Sequence, residues 1–339
     1  MINSCYLGDV RDGLRAMASA GVRARTCVTS PPYWGLRDYG VAGQLGLEET
    51  VDEYVANMVE VFRLVRDVLA DDGTLWLNLG DSYNTQAGAV GSRPGGGGRG
   101  DKWKQIGAMT SPNRMPQKGL KPKDLVGIPW RVAFALQADG WWLRQDIVWK
   151  KPNPMPESVT DRCTKAHEYL FLLSKRERYY FDQDAIAEPA TDFAGRRRKV
   201  VPDGWATGAG PHDAVSHSRR SSKVAAAEGR EREIAGAAKG IDERKHSPER
   251  TTRNRRSVWT IPTEPFPEAH FATFPTALVE PCVLAGSAVG DVVLDPFMGS
   301  GTVAQVAQAL GRSWVGCELN PEYHAMIARR TRARGLALA

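Results

Sequence analysis

One stretch of this sequence leaves little freedom in how the chain can fold. Val292-Val293-Leu294 is an apolar run of the kind that forms a buried strand, and Asp295-Pro296-Phe297-Met298-Gly299-Ser300-Gly301-Thr302 follows it directly. Helical spacing then runs from about Val303 to Leu310, where Gly311 stops it. A second apolar run, Ser313–Cys317, ends on Glu318. Strand, glycine turn, helix, strand and terminal acid make half of a doubly wound nucleotide-binding sheet. Glycines at a strand-to-helix turn let backbone approach a ligand at the helix N-terminus with no Cβ in the way. Glu318, at the tip of the second strand, is placed to accept hydrogen bonds from two ribose hydroxyls. The turn lacks the complete G-x-G-x-x-G fingerprint, and no G-x-x-x-x-G-K-S/T occurs anywhere. The expected ligand is therefore an adenosyl group without phosphate, rather than a dinucleotide or a triphosphate.

A second constellation lies far away in sequence. Thr29-Ser30-Pro31-Pro32-Tyr33 follows the short apolar strand Thr26–Thr29. Two successive prolines fix the backbone and remove two N–H donors, so the carbonyls there are rigid and meet no local competitor. Ser30 adds a hydroxyl, and Tyr33 adds a ring on which a planar base can stack. That combination suits an exocyclic amino group, whose two N–H protons can be shared between the Ser30 side chain and the Pro31 carbonyl. A proline-stiffened turn with an incidental serine is the alternative for Pro-Pro taken alone.

The remaining sequence falls into patterned and unpatterned blocks. Residues 1–81, 125–189 and 258–339 carry the strand and helix patterns; no internal repeat is visible. In the first block Ser4–Leu7 and Thr74–Leu79 are further strands. Apolar positions from Val51 to Leu69 follow helical spacing, with Thr50 and Glu53 set as a capping box and Gly73 just past the end. In the middle block Trp142–Trp149 and Tyr169–Leu173 read as strands, with a helix near Pro129–Gln137. Between the blocks lie two basic, irregular segments. Residues 82–124 hold eight Lys/Arg against two Asp/Glu and are rich in glycine; residues 191–257 hold sixteen against nine. The rest of the chain carries 21 basic against 28 acidic residues. An acidic body with two basic segments points to a polyanion partner met by those segments.

Composition closes off other classes. The 339 residues are 42% hydrophobic, which excludes disorder throughout and permits a sizeable core. No run of about 18 apolar residues occurs, so no membrane span is expected, and no signal peptide is evident. Five well-separated cysteines without a C-x-x-C pair fit a reducing cytoplasm rather than a disulfide framework. Six scattered histidines form no ligand pair, and no metal is expected.

Ser30-Pro31-Pro32-Tyr33 resembles the (D/N/S)-P-P-(Y/F) catalytic motif of S-adenosylmethionine-dependent DNA amino-methyltransferases, and Asp295–Thr302 resembles their cofactor motif D-P-F-x-G-S-G-T. Gly8-Asp9, Trp149-Lys150-Lys151-Pro152 and His270-Phe271-Ala272-Thr273-Phe274-Pro275 fit the same pattern. The resemblance covers the three patterned blocks and leaves out mainly the two basic segments. It implies an α/β fold, a Rossmann-like, mostly parallel, doubly wound sheet. The catalytic motif precedes the cofactor motif, which is the circularly permuted order of the β group. It further implies that Thr29, Asp295, Pro296, Phe297, Gly299, Ser300, Gly301, Thr302 and Asn320 surround S-adenosylmethionine, with Asp295 near its amino group. Glu318 would bind its ribose, Asp9 would lie near its adenine, and Phe274 and Pro275 beside its methionine tail. Ser30, Pro31, Pro32 and Tyr33 would hold a base extruded from duplex DNA, and the methyl group would pass directly to its exocyclic nitrogen.

Ser at the first motif position is, in that family, commoner in enzymes acting on the N4 of cytosine, and Asp in those acting on the N6 of adenine. N4-cytosine is the expected target and N6-adenine the alternative. C5-cytosine chemistry needs a cysteine nucleophile, and Cys282, in the sole Pro-Cys, reads as packing. An RNA methyltransferase and a non-catalytic DNA-binding protein stand behind both. His167-Glu168, ahead of an apolar strand, reads as structural. Residues 190–257 are the expected target-recognition region, with Arg196, Arg197, Arg198, Lys199, Arg253, Arg255 and Arg256 on phosphates. Double-stranded DNA is the expected partner; a second copy of the chain and a cognate restriction endonuclease are further partners compatible with the resemblance.

Overall fold

The computed structural model of the chain describes residues 2–36, 38–84, 119–190, 252–264 and 275–335. In chain order the elements are β1 (Ser4–Leu7), α1 (Val10–Ser19), β2 (Ala24–Thr29), α2 (Val51–Val68), β3 (Leu69–Leu79), α3 (Ile128–Ala138), β4 (Trp142–Lys150) and β5 (His167–Ser174). Then follow β6 (Glu188–Pro189), β7 (Thr252–Arg253), β8 (Val258–Thr260), α4 (Thr276–Gly286), β9 (Val292–Asp295), α5 (Thr302–Ala309), β10 (Ser313–Glu318) and α6 (Pro321–Gly335).

Eight strands form one sheet in the order β1-β10-β9-β2-β3-β5-β4-β8. The pairs from β1 across to β3 are parallel, β5 runs antiparallel to both its neighbours, and β8 pairs parallel to β4. The central strands β2, β9 and β10 are almost continuously buried, as expected where helices cover both faces of a parallel sheet. Alternate strand residues feed two cores. Cys27, Leu75, Phe171 and Leu294 pack with α1, α2 and α3 on one face. Val28, Trp76, Leu172 and Val293 pack with α4, α5 and Ile327 of α6 on the other. The fold is thus a three-layer α/β/α body of the kind the glycine turn required.

Local sequence explains the helix ends. Thr50 Oγ1 accepts from Glu53 N at 3.1 Å while Glu53 Oε2 accepts from Thr50 N at 3.1 Å, so the capping box closes in both directions. Gly73 does not end that helix. The chain passes from Val68 directly into β3, and Gly73 lies inside this strand, where a Cβ would come within 2.9 Å of the Ala70 carbonyl oxygen. Asp81 Oδ1 accepts from Gly127 N and Ile128 N at 2.9 and 3.0 Å, capping α3 from the end of β3. Tyr83 bridges to Leu125, so the chain leaves and re-enters the body at one point around residues 85–118, which lie outside the described residues. No helix among the described residues is long and apolar enough to cross a membrane.

The chain divides into two compact units, Met1–Ile186 with Arg255–Ala339, and Ala187–Asn254. The sequence placed the second segment at 190–257. In the smaller unit, β6 and β7 pair antiparallel.

Candidate active site

The connections around β2 and β9 diverge. After β9 the chain crosses through α5 to β10, toward one edge of the sheet; after β2 it crosses through α2 to β3, toward the other. Between two such strands the loops separate and leave a crevice beyond their carboxyl ends, the place where ligands bind in open α/β sheets. Thr29 ends β2 and Asp295 ends β9, and Thr29 Oγ1 donates to Asp295 Oδ1 at 2.7 Å. Two motifs 266 residues apart in sequence are therefore hydrogen-bonded neighbours. A cavity of about 870 Å³ opens there, lined by Ser30, Pro31, Pro32 and Tyr33 on one side and by Asp295–Ser300 and Cys317–Asn320 on the other. That volume lies within the roughly 300–1,000 Å³ of small-molecule sites.

At the cofactor end two carboxylates are buried. Asp295 is 4% exposed, and its Oδ1 also accepts from Phe297 N at 3.0 Å. Burial pushes its pKa up to about 7, against the opposing pull of the Thr29 hydroxyl and the Phe297 amide. Glu318 Oε2 accepts from Gly299 N and Oε1 from Asn320 N, each at 2.8 Å, which fixes the carboxylate at the cavity wall. Its pKa too is raised by burial. Gly299 and Gly301 both take positive φ, +50° and +81°, but for different purposes. A Cβ on Gly299 would meet no protein atom within 4 Å, whereas one on Gly301 would press on Ile327 at 3.0 Å. Gly299 faces the cavity; Gly301 faces the packed α6.

The other sequence-predicted residues fall into groups. Asp9, Pro296, Phe297, Ser300, Thr302 and Asn320 line the cavity. The Asp9 carboxylate also caps α1 through Arg11 N at 2.7 Å, and Asn320 Oδ1 accepts from Glu322 N at the start of α6. Thr29 is fully buried and reaches the site through Asp295. Pro275 is the N-cap of α4 and is not on the cavity wall; Phe274 lies outside the described residues. Cys282 is fully buried in α4, with its Sγ donating to the Leu278 carbonyl at 3.2 Å, so it is packing as expected.

At the opposite end the side chains form a polar chain. Ser30 Oγ lies 3.3 Å from Tyr33 Oη and 3.4 Å from Asn78 Oδ1. Tyr33 Oη reaches Asn78 Oδ1 at 3.0 Å and Glu168 Oε2 at 2.8 Å, and Lys151 pairs with Glu168 Oε1. Tyr54 Oη donates to the Pro32 carbonyl at 2.9 Å, while the Pro31 carbonyl has no partner among the described residues. Glu168 is the main residue that sequence reasoning misplaced: it is a wall of the cavity, not a structural strand residue. The cause is register. Antiparallel β5 begins where the parallel strands end, so its first residues, opposite Trp149 and Lys150, face the same crevice.

Residues 24–329 of the chain match a family model, that of the N6_N4_Mtase domain, described as DNA methylase. The chain belongs to this DNA methylase family. It is 43% identical over 337 residues to the Type II methyltransferase M.SmaI of Serratia marcescens, covering 97% of this chain and 91% of that one. It is 45% identical over 322 residues to the Type II methyltransferase M.Cfr9I of Citrobacter freundii, covering 94% and 84%. Among solved structures, the PvuII DNA methyltransferase (cytosine-N4-specific) superposes with a TM-score of 0.57 at 18% identity, over 97% of this chain and 86% of that one. The M1.HpyAVI complex with S-adenosylmethionine does so with a TM-score of 0.52 at 14% identity, over 96% and 98%. At those identities the likeness establishes the shared fold.

The DNA methylase's cavity fits S-adenosylmethionine on its own chemistry. Buried Asp295 suits a cationic amino group, the fixed carboxylate of Glu318 suits ribose hydroxyls, and the open side of Gly299 admits close approach of a ligand. The arginines expected on DNA divide. Arg253 pairs with Glu188 at 3.4 Å, and Arg255 stacks on the Trp259 ring at 4.6 Å, so both guanidinium groups have intramolecular partners. Arg196–Lys199 lie outside the described residues.

Proposed function

We propose that this DNA methylase is a Type II, site-specific enzyme that methylates the exocyclic N4 of cytosine in duplex DNA. The methyl donor is S-adenosylmethionine. When bound, it supplies a methyl group on a cationic sulfur: the new nitrogen–carbon bond forms as the sulfur–carbon bond breaks, and that bonding pair stays on sulfur. The observation that carries the reading is the Thr29–Asp295 contact, which sets the proline-rigid pocket of Ser30–Tyr33 against the cofactor crevice. Asp295 and Glu318 hold the donor's polar groups, and the Ser30 hydroxyl and Pro31 carbonyl accept the two amine protons. Catalysis then rests on alignment of a hydrogen-bonded amine, with no covalent bond between enzyme and base. The target base is extruded from the duplex to reach this pocket.

Cytosine is favoured by serine at the first motif position, and the N4-specific PvuII enzyme shares this fold. Residues 190–257 are the proposed target-recognition region, and a cognate restriction endonuclease is the proposed biological partner, in keeping with the Type II relatives. The test is incubation with labelled S-adenosylmethionine and duplex DNA, followed by nucleoside mass spectrometry. N4-methylcytosine is expected, with no label from Ser30→Ala. N6-methyladenine would overturn the base assignment, and label confined to RNA or protein would overturn the DNA reading.

A further inference from the structure

Methyl transfer to an amine leaves a proton to dispose of, and the residues around Ser30 supply a route for it. This inference rests on the reading of Ser30–Tyr33 as the amine pocket. Asn78 Nδ2 donates to the Tyr169 carbonyl at 3.0 Å, which fixes the amide so that its oxygen faces the two hydroxyls. Lys151 donates to Glu168 and its ammonium lies 4.3 Å from the Trp149 ring centroid, so the carboxylate is held from behind. The Lys151 and Glu168 side chains are only 18% and 16% exposed, where a charged acceptor attracts a hydroxyl proton strongly. Tyr33 therefore donates to Glu168, its shortest contact, and Ser30 donates onward to Tyr33 or Asn78. Both hydroxyl protons are thereby committed to protein acceptors in the cavity wall. The lone pairs of Ser30 Oγ are left facing the cavity, so Ser30 acts as an acceptor.

We propose that Glu168 is the terminal proton acceptor of the reaction, acting through Tyr33 and Ser30 rather than by touching the base. After the nitrogen–carbon bond forms, the amino nitrogen is cationic. It gives one proton to Ser30 Oγ, the Ser30 proton passes to Tyr33 Oη, and the Tyr33 proton passes to Glu168 Oε2. The base ends neutral, both hydroxyls are restored, and Glu168 ends as a carboxylic acid paired with Lys151, which later loses its proton to solvent. Tyr33 gains a proton as it gives one. Consistent with that, burial and the Glu168 charge raise its pKa well above the ordinary phenol value, so it is never a free phenolate. Gly80 is a positioning residue for the relay: a Cβ there would collide with the Tyr33 ring.

The titratable groups facing Glu168 are Lys151 at the end of β4, Tyr33 after β2, and Lys165 in the segment before β5. Lys165 itself donates to the Asp81 carbonyl at 3.1 Å and lies near Glu157. The experiment is single-turnover methyl transfer to a duplex substrate as a function of pH, with S-adenosylmethionine saturating at every pH so that ionisation of Asp295 does not limit the rate, for the full chain and for Glu168→Gln, Tyr33→Phe and Ser30→Ala. Gln keeps the shape and the Tyr33 contact but is not a base. Glu168→Gln is expected to slow transfer about 10- to 100-fold and to remove the fall in rate toward acid pH. Tyr33→Phe is expected to remove the same limb. S-adenosylmethionine affinity by calorimetry, and base extrusion by 2-aminopurine fluorescence, are expected to stay within about twofold of the unaltered chain for Glu168→Gln. A Glu168→Gln or Tyr33→Phe protein that keeps both the rate and the acid limb overturns the relay. Ser30→Ala separates the two readings. If it transfers as well as the unaltered chain, the amine pocket itself is wrong; if it is inactive while Glu168→Gln is normal, only the relay is.

Discussion

A buried carboxylate whose donors are a hydroxyl and a backbone amide resists ionisation, and Asp295 shows the consequence. Its pKa of about 7 means that, between about pH 4 and about 7, the folded chain holds a proton that the unfolded chain has lost. The folded state binds more protons across that window, so this residue makes stability fall as pH rises through it. Asp295→Asn cannot ionise, and ligand-free melting temperatures of that variant are expected to lose this component of the slope between pH 4 and 7. A slope unchanged from the parent would show that Asp295 ionises normally. The same residue predicts a linkage with the cofactor. A cationic amino group placed against Asp295 favours its charged form and lowers its pKa, so binding near pH 7 expels the proton. Calorimetric titration of S-adenosylmethionine in two buffers of different ionisation enthalpy is expected to report release of about half a proton at pH 7, rising toward one near pH 6, and absent in Asp295→Asn. Equal heats in both buffers would place the amino group elsewhere.

At the scale of the element, β9, its glycine turn and α5 form a unit whose two glycines are separable by experiment. Both have positive φ, so alanine is strained at either, by about 1 kcal/mol. At Gly301 the new methyl also presses on Ile327 in the packed core. At Gly299 it enters open cavity. Gly301→Ala is expected to lower the melting temperature more than Gly299→Ala, and Gly299→Ala to weaken S-adenosylmethionine binding more than Gly301→Ala. The reverse ranking would exchange their roles. This unit was legible in the sequence because every part of it is local: a strand, a turn, a helix stop and an acid in unbroken succession. The capping box at Thr50 and Glu53 was legible for the same reason. Gly73 misled because a glycine after a helical pattern looks like a stop, whereas the chain simply turned into β3. Helix α4 carried little helical signature, being apolar apart from Thr276 and Glu280 and holding Pro281 inside it. Glu168 was hidden by register: its place on the cavity wall depends on β5 pairing antiparallel with β4, a long-range fact with no local pattern. A charge clue did exist, since Lys151 just past one strand and Glu168 at the head of the next are complementary.

For the molecule as a whole, the sheet order explains how two motifs from opposite ends of the sequence make one site. Permutation cuts the chain at a different loop but leaves β9 beside β2, and the crevice depends on that adjacency alone. The charge distribution then bears on how a duplex is held there. The patterned blocks carry more acid than base, while residues 82–124 and 191–257 carry the excess of Lys and Arg. Cations that contact phosphates release counterions, and the logarithm of affinity falls with the logarithm of salt concentration by about 0.9 per phosphate neutralised. Arg253 and Arg255 have partners within the protein, and the run Arg196-Arg197-Arg198-Lys199 is the proposed set of backbone contacts. Replacing Arg196–Lys199 with alanine is expected to weaken binding to cognate and non-cognate duplexes by the same factor. It should also reduce the salt slope by up to about 3.6, or 0.9 for each of the four charges. Fluorescence anisotropy at several salt concentrations measures both quantities. Loss confined to one DNA sequence, with the slope intact, would mean that these residues read base edges, because a phosphate contact has no means of telling one sequence from another.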